Sequence, residues 1–129
     1  MNKSVFSHRV IYADTDHFGV VYYARYLEWM EAGRSELLRK GGISYADYEK
    51  MGFFVPVVKL DIEYQSPARY DDIVDVETRI EKIGNSSIHF TYDIKVKDKI
   101  IATAKTVNVF ITRDGKKVNV PDEVRNILK

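Results

Sequence analysis

Asp14 and Asp16 stand two residues apart in the run Tyr12–Gly42, which reads YADTDHFGVVYYARYLEWMEAGRSELLRKGG. A helical pattern begins a few residues later. The first turn of a helix carries free backbone N–H groups and a partial positive charge. A carboxylate beside such a turn can act as nucleophile or general base while the N–H groups hold a developing oxyanion. Gly19, between the two features, suits a positive φ and a close approach of backbone to a bound molecule. His17 adjoins Asp16 and offers a proton donor at neutral pH.

Other chemistries find less support. The chain has no cysteine, which excludes thiolate metal sites, disulfides and a Cys nucleophile. Its three histidines, His8, His17 and His89, show no metal-ligand spacing, so no metal is expected and no cofactor is implied. No G-x-S-x-G run provides a serine elbow. Lys plus Arg number 20 and Asp plus Glu 19, so no net field favours nucleic acid or an anionic membrane. No apolar run reaches membrane-spanning length, and Met1 to Val10 lack an apolar signal core. A cytoplasmic protein is expected.

The elements that must position the aspartates follow from hydrophobic periodicity. At 129 residues, without linker or repeat, the chain is expected to form one domain over residues 1–129. Val5–Tyr12 reads as a short strand, and Asp14–Gly19 as a turn. From Tyr22 to Arg39 the period is helical, with Tyr22, Tyr26, Met30, Gly33 and Leu37 on one stripe. Tyr23, Leu27, Trp29 and Leu38 widen the apolar arc to about half the helix, so a curved sheet should embrace it. Gly33 costs about 1 kcal/mol against Ala in a helix interior, which a close strand would explain. Arg34 falls inside the arc, three residues after Glu31, and suggests an ion pair. Gly41-Gly42 ends the helix, and Ser44 caps a short second one over Ser44–Met51.

Strands follow. Val58, Leu60, Ile62 and Tyr64 alternate with charged residues. So do Val74, Val76, Thr78 and Ile80, and then Ile88, Phe90, Tyr92 and Ile94. Asp98-Lys99 makes a tight connection to a strand over Ile100–Thr112, apolar on both parities and therefore internal. Asp114-Gly115 signals a hairpin, and Pro121–Leu128 a terminal helix. One strand, one long helix and then a run of antiparallel strands reads as α+β.

The same residues carry a resemblance. Tyr12, Asp14, Asp16, Gly19, Val21, Tyr22, Tyr23 and Tyr26 fill the pattern aromatic-x-D-x-D-x-x-G-x-V-aromatic-aromatic-x-x-Tyr. Glu31, Arg34 and Glu36 continue it as E-x-x-R-x-E, and Tyr64, Ser66-Pro67, Tyr70 and Asp71-Asp72 supply a second landmark. This resembles the 4-hydroxybenzoyl-CoA thioesterase family, and within it the small bacterial acyl-CoA thioesterases linked to the Tol–Pal envelope system.

The resemblance implies a hot-dog fold, a five-stranded antiparallel sheet wrapped around a long central helix. It implies homodimers, or tetramers built from them, whose sheets join edge to edge with active sites between subunits. It implies an acyl-CoA substrate, or a thioester on an acyl carrier protein. Asp16 matches the family carboxylate that attacks the thioester or activates water, and Tyr23 lends its backbone N–H to the oxyanion. Gly19, Val20 and Tyr22 would flank the substrate, Val57 and Val58 the acyl group, and Asn85, Ser86 and Ser87 the nucleotide. A non-catalytic scaffold in an envelope or lipid-synthesis complex is the alternative.

Overall fold

The computed structural model describes residues 3–127. The alternating segments form one antiparallel sheet in the order β1-β4-β5-β6-β3. Its strands are β1 (Lys3–Arg9), β3 (Val57–Tyr64), β4 (Ile73–Ile83), β5 (Ser87–Val96) and β6 (Lys99–Val109). The apolar parity of β4 and β5, Val74, Val76, Ile88, Phe90, Tyr92 and Ile94, is buried. The sheet packs on α1 (Arg25–Lys40), whose Tyr26, Trp29, Met30, Leu37 and Leu38 complete the core.

Gly33 is where helix and sheet come closest. A Cβ there would stand 2.5 Å from Thr78 Oγ1 and 3.2 Å from Val76 Cγ1. Only glycine lets α1 settle onto β4 at this depth. The expected sheet-wrapped helix therefore forms, and Gly33 marks the contact.

Several details differ from the periodicity. β1 ends at Arg9, because Tyr12–Asp14 turn into a single 3-10 turn that leaves Tyr12 exposed. α1 starts at Arg25 rather than Tyr22, and both Tyr22 and Tyr23 face solvent. Arg34 is buried without a carboxylate among the described residues. It donates instead to the hydroxyls of Tyr45 and Tyr92, each at 3.3 Å, while Glu31 stays exposed. The tight connection falls on Lys97-Asp98, which carry the positive φ angles of 50° and 65°. The last long strand breaks at buried Phe110. Its end, β7 (Ile111–Thr112), pairs with β2 (Phe53–Phe54) in a second small sheet.

The short helix α2 (Tyr45–Lys50) is capped as expected, with Ser44 N–H donating to Asp47 Oδ2 at 2.8 Å. α3 (Asp122–Ile127) follows Pro121 directly. Leu128, the expected end of that helix, lies outside the described residues. Among the described residues no helix is long and apolar enough to cross a membrane.

Candidate active site

The loop between β1 and α1 is built around Asp14. Asp14 is 5% exposed. Oδ2 accepts the Ile11 N–H at 3.0 Å and lies 2.8 Å from His8 Nε2. Arg25 Nε stands 4.0 Å from Oδ1, and Arg25 Nη2 donates to the Ala13 carbonyl at 3.1 Å. Burial pushes the Asp14 carboxyl up. The His8 hydrogen bond, the Ile11 N–H and the charges of His8 and Arg25 outweigh burial and hold it below the usual carboxylate value. Asp14 thus serves the loop, accepting the local Ile11 N–H.

Asp16 sits differently. Its N–H donates to the Val20 carbonyl at 2.9 Å, and Thr15 bridges to Val21 across the turn. Oδ1 accepts the Phe18 N–H at 2.8 Å, an Asx-turn contact that fixes the side chain. Among the described residues no partner engages Oδ2. Gly19 closes the turn at φ +78°, where a side chain would be strained, and has open space around it. The half-buried Asp16 lines an open cleft of about 500 Å³ with Ala13, Thr15, His17, Tyr22 and Arg25.

The start of α1 lies beside this cleft. Tyr22 N–H donates to the Asp14 carbonyl at 2.8 Å, and Val21 N–H to the Ala68 carbonyl at 2.8 Å. Arg25 N–H then takes the Tyr22 carbonyl at 2.9 Å. The N–H groups of Tyr23 and Ala24 donate to no protein acceptor among the described residues. They are free donors one and two residues beyond the cleft-lining Tyr22. The Tyr23 carbonyl is held by Tyr64 Oη at 2.8 Å, which pins that peptide to β3.

One group of expected residues is therefore together: Asp16, Gly19, Val20, Tyr22 and Tyr23 share the loop and helix start, with Val20 bridged to Arg69. The others are not beside it within one protomer. Tyr64, at one end of β3, touches Tyr23, while Val57 begins the same strand seven residues away. At about 3.3 Å per residue that separation is about 23 Å. Val57 lines a different cleft, of about 360 Å³, with Tyr45, Tyr48, Phe54 and Arg34. The turn carrying Asn85, Ser86 and Ser87 joins β4 to β5 at the Val57 end, since Ser87 pairs with Val109 and Val109 N–H bonds Pro56. Asn85 and Gly84 there give their carbonyls to Arg125, at 3.2 and 2.8 Å. Val58 stands 61% exposed on the sheet edge.

Three neighbours of the site escape a sequence reading. His8 stands six residues before Asp14 and meets it because the chain turns back at Tyr12–Asp14, just past the end of β1. Arg25 falls on the polar side of the helical wheel but turns back onto the loop. Tyr64 reads as an alternating strand residue and as part of the second landmark, but neither reading ties it to the Tyr23 carbonyl. The nearest signal for Arg25 is a cation in the first helical turn, where carboxylates are the usual residents.

The sequence profile of the thioesterase-like superfamily matches residues 10–128. An acyl-CoA thioester hydrolase, YbgC, of Escherichia coli O6:H1 is 39% identical over 98 residues, covering 73% of this chain and 72% of its own. A crystal structure of a probable thioesterase from Bartonella henselae is 34% identical and superposes with a TM-score of 0.88, over 92% of this chain and 99% of that one. The 4-hydroxybenzoyl CoA thioesterase of Pseudomonas sp. strain CBS-3, at 21% identity, shares the fold with a TM-score of 0.91, over 98% and 99% of the two chains. With a matching profile over nearly its whole length and the hot-dog sheet around α1, this chain belongs to the thioesterase-like superfamily.

Proposed function

We propose that this protein is an acyl-CoA thioesterase, a single hydrolytic domain in which Asp16 does the chemistry. Water adds its oxygen to the thioester carbonyl carbon, the C–S bond breaks, and the sulfur leaves as CoA thiolate that takes up a proton. Asp16 either removes the proton from that water or first attacks the carbonyl itself, forming an anhydride that water then opens. The Tyr23 N–H carries the oxyanion in both routes. The observation that carries this reading is the Asp16 carboxylate, with Oδ2 unengaged on a residue that lines an open cleft, beside helix-start N–H groups that have no protein acceptor among the described residues.

The substrate-binding role of Val57, Val58, Asn85, Ser86 and Ser87 needs a second copy. Edge strand β3 exposes Val57, Val58, Leu60 and Tyr64. Antiparallel pairing of two β3 strands brings the Val57 end of one copy beside the Tyr64 and Tyr23 end of the other. A homodimer of this kind unites the two halves of the expected site and covers an apolar edge that is otherwise an aggregation hazard.

The test is hydrolysis of acetyl-, octanoyl-, palmitoyl- and benzoyl-CoA by purified protein, with released CoA detected by a thiol reagent. Turnover of at least one supports the reading. No thiol release from any of them, nor from the same acyl groups on acyl carrier protein, favours the scaffold reading, in which Asp16 serves only its contact to Phe18.

A further inference from the structure

His8 lies outside the residues assigned to chemistry, yet it joins three parts of the site. It stands on β1, paired with Val74 of β4. Its Nε2 meets Asp14 Oδ2 at 2.8 Å. Its ring packs on Trp29, in the second turn of α1, with centroids 5.0 Å apart and planes at 35°. Trp29 in turn packs on Tyr26 at 5.0 Å.

Asp14 passes this anchoring on. Its backbone carbonyl holds the Tyr22 N–H at 2.8 Å, which sets where the Tyr22–Tyr23 peptide begins. Two residues on, the Thr15–Val21 bridge and the Asp16 N–H bond to Val20 set the Asp16 carboxylate. A buried carboxylate keeps its place only while its lone pairs are filled. Without His8, Asp14 keeps the Ile11 N–H and an Arg25 nitrogen at 4.0 Å. The ring explains the residue type. Its flat face covers Trp29 while its edge presents a donor to the carboxylate, a combination that a lysine chain does not offer.

We infer that His8 is a positioning residue for the hydrolytic site: by holding Asp14 against β1 and α1 it fixes the separation between the Asp16 carboxylate and the Tyr23 N–H. This rests on the reading of Asp16 as the chemical group. A displacement of about 1 Å at a reacting group costs about a hundredfold in rate, so an anchor one step removed has a measurable share.

The experiment compares two substitutions on the best acyl-CoA found. His8→Phe keeps a flat ring on Trp29 and removes the hydrogen bond. His8→Gln gives up the ring and keeps an N–H donor near the Nε2 position. Loss of geometry predicts that kcat of His8→Phe falls about tenfold to a hundredfold with KM little changed, and that His8→Gln recovers most of it. Wild-type kcat in His8→Phe, or an equal loss in both variants, overturns the inference. If His8→Phe does not fold, ¹⁵N NMR of the wild type decides. Nε2 must carry a proton at the pH of full activity, and an unprotonated Nε2 overturns the assignment. Asp16→Asn is the control: an inactive Asp16→Asn beside a normal His8→Phe sinks the positioning role alone, whereas an active Asp16→Asn sinks both.

Discussion

Asp14 and Asp16 are chemically identical and two residues apart, and their surroundings divide their work. Asp14 is buried, with its contacts directed at the loop, at β1 and at Arg25 of α1. Asp16 keeps one oxygen in its turn and lines an open cleft. The D-x-D spacing was legible in the sequence. The His8 contact was not, because it depends on where β1 ends, and the apolar pattern runs past that end to Tyr12. Since the folded pKa of Asp14 lies below its ordinary value of 3.8, its ionised form stabilises the fold above that pH, and the contribution is lost as pH falls through the folded value. Urea unfolding of wild type and Asp14→Asn should therefore show the variant less stable at pH 6, with the gap narrowing below pH 3.8. A gap that stays constant down to pH 2 would remove the ionised Asp14 from the account.

At the scale of elements, α1 was the most readable part of the chain. Its stripe of Tyr26, Met30, Gly33 and Leu37 is buried as the 3.6-residue period requires. Its start was placed three residues early, because Tyr22 and Tyr23 continue the apolar stripe while serving the loop and the exposed surface. The break of the last long strand at Phe110 was hidden for a similar reason: Phe110 is buried and Ile111 and Thr112 are good strand formers, so only the pairing with Phe53–Phe54 shows the change of sheet. Gly33 makes the sharpest claim here. Alanine is better than glycine in a helix by about 1 kcal/mol. Against that, its methyl would stand 2.5 Å from Thr78 Oγ1, and such overpacking typically costs about 1–3 kcal/mol. Gly33→Ala should lower the urea midpoint. A raised midpoint would mean that α1 does not bear on β4 as closely as described.

For the molecule as a whole, the question is how residues at opposite ends of β3 come to share one site. The sequence supplied both groups, through resemblance, but nothing in hydrophobic periodicity tells which strand lies at the sheet edge. β3 does, and its exposed Val58 and Leu60 mark the surface that a second copy would cover. Leu60→Lys puts a charge on that surface, a device that natural edge strands use against pairing. Light scattering of this variant should report monomers where the wild type gives dimers, and acyl-CoA turnover should fall with the dimer. A fully active monomer would separate catalysis from assembly. The central claim, that Asp16 performs the chemistry in an otherwise complete molecule, is tested most directly by acyl-CoA turnover of Asp16→Asn. The amide is nearly isosteric and can still accept the Phe18 N–H, so circular dichroism and dimer mass should match the wild type. Turnover should fall by about a hundredfold or more, the scale of a lost general base. A folded, dimeric Asp16→Asn that still releases CoA at the wild-type rate would contradict the account.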